Sequence, residues 1–256
     1  MSGSDGTPPA SRSRGSNPGR GLFCVLEGID GSGKSTLLAT LSAALQDEGL
    51  GRQFGERFTG LRELREPTPG PVGRRIREHL QAGDTLAPED WLTLFFEDRR
   101  QNLSENIEPA LMSGELILQD RYFYSTAAYQ GQTPDESQAI VKRSLSAGFL
   151  EPDVVLYLAI EPEAAMARVT RRAAAPNPNE VRREGEARDD AAGDSGGTAA
   201  TQSKSIESFE TLEQLTRIHR NYSRVLPAHA LRLDAEQGPE QICAIALAHI
   251  QTVAGA

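Results

Sequence analysis

The sequence predicts an α/β fold, a parallel sheet of about five strands flanked by helices. Two observations predict it. Short continuous apolar runs, of the kind needed by a strand buried on both faces, recur along the chain. Stretches of helical period separate them, and strand followed by helix, repeated, builds a parallel sheet. A chain of 256 residues, 38% hydrophobic and 25% charged, is long enough for a substantial core.

The elements follow in order. Residues 1–20, MSGSDGTPPASRSRGSNPGR, are mostly Ser, Gly, Pro and Arg with no apolar stretch, so a disordered tail and no signal peptide are expected. The folded domain then runs over 21–256. LFCVLEG (22–28) reads as a first strand ending in Gly28. In the next stretch Leu37, Leu38, Leu41, Ala44 and Leu45 share one helical face, and Gly49 stops the helix. The second strand is the least marked and falls near LREL, 61–64. LILQD (116–120), VVLYLAI (154–160) and LRLDA (231–235) complete the set. Helical patterns cover 88–112, 135–147, 162–172, 205–225 and 239–252. Residues 173–204 are Ala, Gly, Pro, Asn and charge. A stretch of that length inside a compact domain reads as a lid or a disordered insert, here spanning about 166–206 with its flanks.

The composition narrows the function classes. A net charge of −9 argues against a nucleic-acid polymer as partner. Cys24 and Cys243 stand alone in apolar surroundings, without CxxC, and read as buried thiols of a reducing cytosol. No apolar run approaches the ~18 residues of a membrane span, so no membrane partner and a cytoplasmic location are expected. His79, His219, His229 and His249 form no metal or triad pattern, and neither GxSxG nor HExxH occurs.

The most specific signal is Gly28-Ile29-Asp30-Gly31-Ser32-Gly33-Lys34-Ser35, followed by Thr36, which matches the phosphate-binding P-loop. Glycines let the backbone curl so that successive N–H groups face phosphate oxygens, and the following helix aims its positive end at the same point. Lys34 is placed to span the β- and γ-phosphates of a nucleotide, and the Ser35 hydroxyl to face Mg2+. An apolar strand before and an amphipathic helix after supply the required context. A GTPase, an ATPase motor and a small-molecule kinase all remain open on this motif alone.

Three more stretches carry arginines where phosphate chemistry would use them. Arg65 ends a strand before a Pro/Gly turn. Trp91, Phe95 and Arg99 are spaced i, i+4, i+8 in PEDWLTLFFEDRR. That spacing suits a ring stacked on a base with a guanidinium at its edge. It equally suits two core aromatics with Arg99 in a surface ion pair with Glu97 or Asp98. Asp120 and Arg121 stand where a buried strand runs out, the end at which such sheets bind ligands.

With EGIDGSGKST, LREPTPG, LFFEDRR, DRYFYSTAAYQG, EPDVVLYLAIEPEAAMARVTRR and IESFETL in this order, the chain from about residue 21 to 252 resembles the thymidylate kinase family. The resemblance implies a helical lid, a homodimer, and transfer of a phosphoryl group from ATP to dTMP with Mg2+. It implies that Asp30 bonds the sugar 3′-hydroxyl and that Arg65 and Arg121 hold the monophosphate. It also implies that Phe95 stacks on thymine, Arg99 donates to its carbonyl, and Thr126 reads the base edge. By the same resemblance Tyr129 lies near the 2′ position and Asp120 orients magnesium through water. Two departures stand out. Thr68-Pro69-Gly70 replaces the family's Gly-Gly-Thr turn, and Gly31-Ser32 occupies the place where some members carry an arginine. Such members supply the cation from the lid helix, which Arg168 and Arg172 match; Arg182, Arg183 and Arg188 in the insert read as a solvated charge run.

A nucleoside kinase with Glu66 as base is the nearest rival, but two arginines at the acceptor imply an anionic acceptor, and Glu66 reads more simply as an ion-pair partner of Arg65 or Arg121. A non-catalytic P-loop binding module is the alternative of another class. No NKxD is present for a guanine switch, and the phosphate-handling arginines are retained.

Overall fold

The computed structural model describes residues 20–47, 49–174 and 211–255. Most of the insert, with Arg182, Arg183 and Arg188, and all of the expected tail except Arg20 lie outside the described residues.

Five parallel strands form one sheet in the order β2-β3-β1-β4-β5. They are β1 (Leu22–Glu27), β2 (Leu61–Arg65), β3 (Leu116–Asp120), β4 (Val154–Ala159) and β5 (Leu231–Asp234). Every residue of β1 and β3 is buried, as helices on both sheet faces require. β2 is an edge strand with mostly exposed residues, which is why its sequence signal is weak. Leu26, Asp120 and Arg65 occupy one row across β1, β3 and β2, so these three strands run out together at the same edge of the sheet.

The helices are α1 (Lys34–Asp47), α2 (Leu50–Phe54), α3 (Pro71–Ala82), α4 (Pro88–Asn102), α5 (Glu108–Met112), α6 (Phe123–Gln130), α7 (Pro134–Ser146), α8 (Pro162–Ala174), α9 (Leu212–Val225) and α10 (Pro239–Ala254). Leu37, Leu41 and Leu45 of α1 are fully buried; each contributes about 1.5–3 kcal/mol relative to exposure. Thr211 opens α9 with a capping box to Gln214, so the chain re-enters the described fold in a well-capped turn.

The single helix expected over 88–112 is interrupted by a π-helical turn, Leu103–Ile107. Pro109 has no N–H to give to residue 105, and a local widening accommodates the lost bond. Helices α3 and α6 were not among the expected helices. α3 has an apolar stripe, Val72, Ile76 and Leu80 at i, i+4 and i+8, among three arginines, and its ends are marked by Pro71 at the start and Gly83, left-handed at φ 71, at the end. Cys24 and Cys243 are both buried free thiols, as expected. Among the described residues no helix is long and apolar enough to cross a membrane.

Candidate active site

The P-loop joins β1 to α1 at the carboxyl edge of the sheet. Its curl depends on glycines with positive φ, 151° at Gly28 and 79° at Gly31. α1 begins at Lys34, and Ser35 and Thr36 are exposed in its first turn. Lys34 is buried, and its ammonium donates to the carbonyls of Gly28 (3.0 Å) and Ile29 (2.9 Å), with Asp30 3.9 Å away. Burial, and then the charge of Arg121, lower its pKa. A cation so placed, close to the loop's amides, moves little to reach a phosphate. Beside it opens a cleft of about 520 Å³ lined by Asp30 to Thr36, Arg65, Asp120, Arg121 and residues of α8.

Asp120 and Arg121 follow from the end of β3. Asp120 is buried. Its Oδ2 lies 3.8 Å from Arg65 Nε, and its Oδ1 has no hydrogen-bond partner. Asp120 lines the same cleft as Ser35, and a carboxylate with an unpartnered oxygen beside a hydroxyl fits a hydrated Mg2+, which keeps most of its waters. Among the described residues no three His, Cys, Asp or Glu could hold a metal by themselves. Arg121 turns the chain with φ 68°, donating its N–H to Leu26 O at 3.0 Å. Its guanidinium pairs with Asp30, donates to Tyr129 OH and Ser125 Oγ, each at 3.3 Å, and lies 4.9 Å over the Tyr129 ring.

Phe95, Arg99, Thr126 and Tyr129 lie outside the lining of this cleft; Tyr129 adjoins it through Arg121. The Trp91 and Phe95 rings stack at 6.0 Å, and Phe95 is half-buried. Arg99 is not a surface residue paired with Glu97 or Asp98. It is only 1% exposed, and its Nε and Nη2 donate to Glu66 Oε2 at 2.9 and 2.6 Å. Leu92 and Phe96 bury one side of α4, and the turn from Phe95 to Arg99 carries the guanidinium inward toward β2. The same Nη2 donates to Thr126 Oγ1 at 2.8 Å, so two of the expected base-reading residues touch. Nη1 is buried without a partner. Glu66 is therefore an ion-pair partner, but of Arg99 and not of Arg65 or Arg121. Its other oxygen accepts from Asn102 Nδ2 at 3.1 Å; burial raises its pKa and Arg99 opposes the rise.

The thymidylate kinase family model matches residues 26–188. Thymidylate kinases of Leptospira borgpetersenii and Leptospira interrogans are 34% and 35% identical over 221 residues, 86% of this chain and 89% of theirs. That of Synechococcus sp. WH7803 is 43% identical over 159 residues, 60% of this chain and 72% of its own. The chain belongs to the thymidylate kinase family. The matched span holds every expected site residue, from Gly28 to Arg172.

Both departures from the thymidylate kinase pattern have a structural account. A side-chain Cβ at Gly31 would sit 2.5 Å from the Ala165 carbonyl of α8, so no arginine fits there. The helix that excludes it supplies cations instead: Arg168, Arg171 and Arg172 all line the cleft, and Arg168 donates to Ala235 O at 2.8 Å. The Thr68 turn is fixed by Asp98, which accepts from Thr68 N at 2.9 Å and from Thr68 Oγ1 at 2.6 Å. Sequence reasoning missed Arg171, and it missed Gln237 and Pro239 on the wall beyond β5. It also missed Glu27, which an acid closing an apolar run would have flagged. Glu27 is fully buried and accepts from Tyr122 N (3.0 Å), from Ser125 and from Tyr222 OH (3.1 Å). Burial pushes its carboxyl up to about 7, against the pull of Ser125 and Arg121.

Proposed function

We infer that this chain is an ATP-dependent thymidylate kinase that transfers the γ-phosphoryl group of ATP to dTMP, giving ADP and dTDP. The observation that carries the reading is convergence: the P-loop lysine, Asp120 and two arginines from separate strand ends, Arg65 and Arg121, line one cleft. A cleft with that many cations beside a P-loop suits two anions brought together.

In this reading residues 28–36 bind the triphosphate, with Lys34 on the β- and γ-phosphates. Arg65 and Arg121 hold the dTMP phosphate, whose ionised oxygen attacks the γ-phosphorus as the bond to the β–γ bridging oxygen breaks. The acceptor is already an anion, so positioning and charge stabilisation carry the rate. Arg168 and Arg172 stabilise charge on the transferring group. Asp30 is shared between Arg121 and the sugar 3′-hydroxyl, and Tyr129 crowds the 2′ position. Phe95 stacks on thymine, and the unpartnered Nη1 of Arg99 is the donor offered to its carbonyl, beside Thr126. Ser35 and Asp120 would hold Mg2+, which neutralises phosphate charge when bound. The enzyme acts in the cytoplasm as a homodimer and takes nucleotides, not a nucleic-acid polymer, as partners; these features rest on composition and the family.

The nucleoside kinase alternative loses its base: both Glu66 oxygens are occupied, one by Arg99 and the other by Asn102. The test is ATP with dTMP, dUMP, dCMP, dGMP and thymidine in parallel. Turnover is expected to be fastest with dTMP. Turnover of thymidine in preference to dTMP would overturn the reading.

A further inference from the structure

An unbroken hydrogen-bonded line crosses the acceptor side. Arg99 Nη2 bridges Thr126 Oγ1 (2.8 Å) and Glu66 Oε2 (2.6 Å). Asn102 Nδ2 donates to Glu66 Oε1 (3.1 Å) and to Gln119 Oε1 (3.2 Å). Gln119 Nε2 then donates to the backbone carbonyl of Arg121 at 2.9 Å. Asn102 and Gln119 are 1% and 0% exposed.

Gln119 breaks a local rule. An interior position of a buried parallel strand normally takes Val, Ile or Leu, and a buried amide is tolerated only when its hydrogen bonds are made. Such exceptions gather at functional or strained positions. The strain is two residues away: Arg121, at φ 68°, is the one non-glycine with positive φ among the described residues. A bulky residue stays in that region only when its surroundings hold it there. Leu26 O fixes the N–H of Arg121, and Gln119 fixes the carbonyl. Without the second hold the peptide can relax, and the guanidinium swings away from Asp30 and Tyr129.

We propose that Gln119, backed by Asn102, is a positioning residue for the acceptor phosphate. It keeps Arg121 in the left-handed conformation that aims its guanidinium into the cleft, and it ties that conformation to the Arg99–Glu66 pair beside the base. Gln119 acts through Arg121, and the proposal rests on the reading of Arg121 as the residue that holds the dTMP phosphate.

Binding of dTMP and of thymidine separates this role from mere packing. Trp91, the only tryptophan, stacks on Phe95 and reports both ligands by fluorescence. Gln119→Met keeps the length and removes both hydrogen bonds. The Kd for dTMP is expected to rise about tenfold, one 1.4 kcal/mol step, while that for thymidine stays within about twofold. KM for dTMP rises and KM for ATP does not. Equal losses for both ligands, or no loss, overturn the proposal. Should the methionine variant fail to fold, Gln119→Asn, too short to reach both partners, gives the same comparison. An unmodified protein that binds thymidine as tightly as dTMP would remove the role of Arg121 itself, and the proposal with it.

Discussion

In the proposed reading, the donor half and the acceptor half of the site are built differently. The donor half is nine consecutive residues, 28–36, whose work is done by backbone amides and one lysine. The acceptor half draws Glu66, Arg99, Asn102, Gln119 and Thr126 from the end of β2, from α4, from β3 and from α6, holds them by side-chain bonds to one another, and reaches the Arg121 carbonyl through Gln119. The donor half is thus a local motif whose groups can be changed singly. The acceptor half is a buried polar network, in which removing one member strands the next. The difference teaches where chemistry and stability are separable in this molecule.

Lys34→Ala gives the largest effect and tests the separable half. Phosphoryl transfer is expected to fall by about 10³-fold, the scale for losing a preorganised charge at the reacting centre, with Tm within about 2 °C of the parent. The lysine's partners are loop carbonyls that the cleft can hydrate. A large drop in Tm, measured by thermal melting, would break the contrast. Glu66→Ala tests the other half. It leaves Arg99, 1% exposed, without its carboxylate, and breaking a buried pair costs about 3–5 kcal/mol. Urea unfolding should show that loss together with weaker dTMP binding. Weaker binding at unchanged stability would mean the acceptor half is as modular as the donor half.

The same contrast decides what could be read from sequence. The donor half is contiguous, and each residue type has its own reason, so the motif alone located it. The strands β1, β3 and β4 were legible because burial on both faces forces unbroken apolar runs. β2 at the edge was barely marked. Arg99 shows the limit most sharply. Its helical spacing fitted a base reader and a surface ion pair equally, because α4 alone does not reveal that β2 brings Glu66 to it across 33 positions. The resemblance implied its role; of the network that positions it only Gln119, at the end of the apolar run LIL, stands out in the sequence, while Asn102 sits among polar residues.

Phe95 refines the comparison, because it belongs to the acceptor half without joining the network. It is half-buried and, among the described residues, its ring stacks only on Trp91. Phe95→Ala should weaken dTMP binding by about 1–3 kcal/mol, the worth of one base–aromatic stack, and leave Kd for ATP unchanged. Stability should shift by less than that. Titration calorimetry with dTMP is the check, and an unchanged affinity removes the stacking role.

Glu27 lies where the halves meet, closing β1 just before the P-loop and accepting from Tyr122 and Ser125 on the Arg121 side. Its carboxyl is raised from 4.5 to about 7, chiefly by burial. Between those values the unfolded chain has released the proton that the folded chain keeps, so this group's contribution to stability is present below about pH 4.5 and is lost as pH rises to 7. Glu27→Gln cannot titrate. The parent should therefore be the more stable protein near pH 5, and the variant should gain on it up to pH 7 and hold a constant lead above. The lead is about 1 kcal/mol, because the amide gives up part of the gain by losing an acceptor that Ser125 and Tyr222 use. Comparing the two proteins in urea at pH 5, 6, 7 and 8 cancels the other titrating groups. A stability difference that does not change with pH would show that Glu27 stays ionised throughout, and that the junction is an ion pair with Arg121 instead of a desolvated acid.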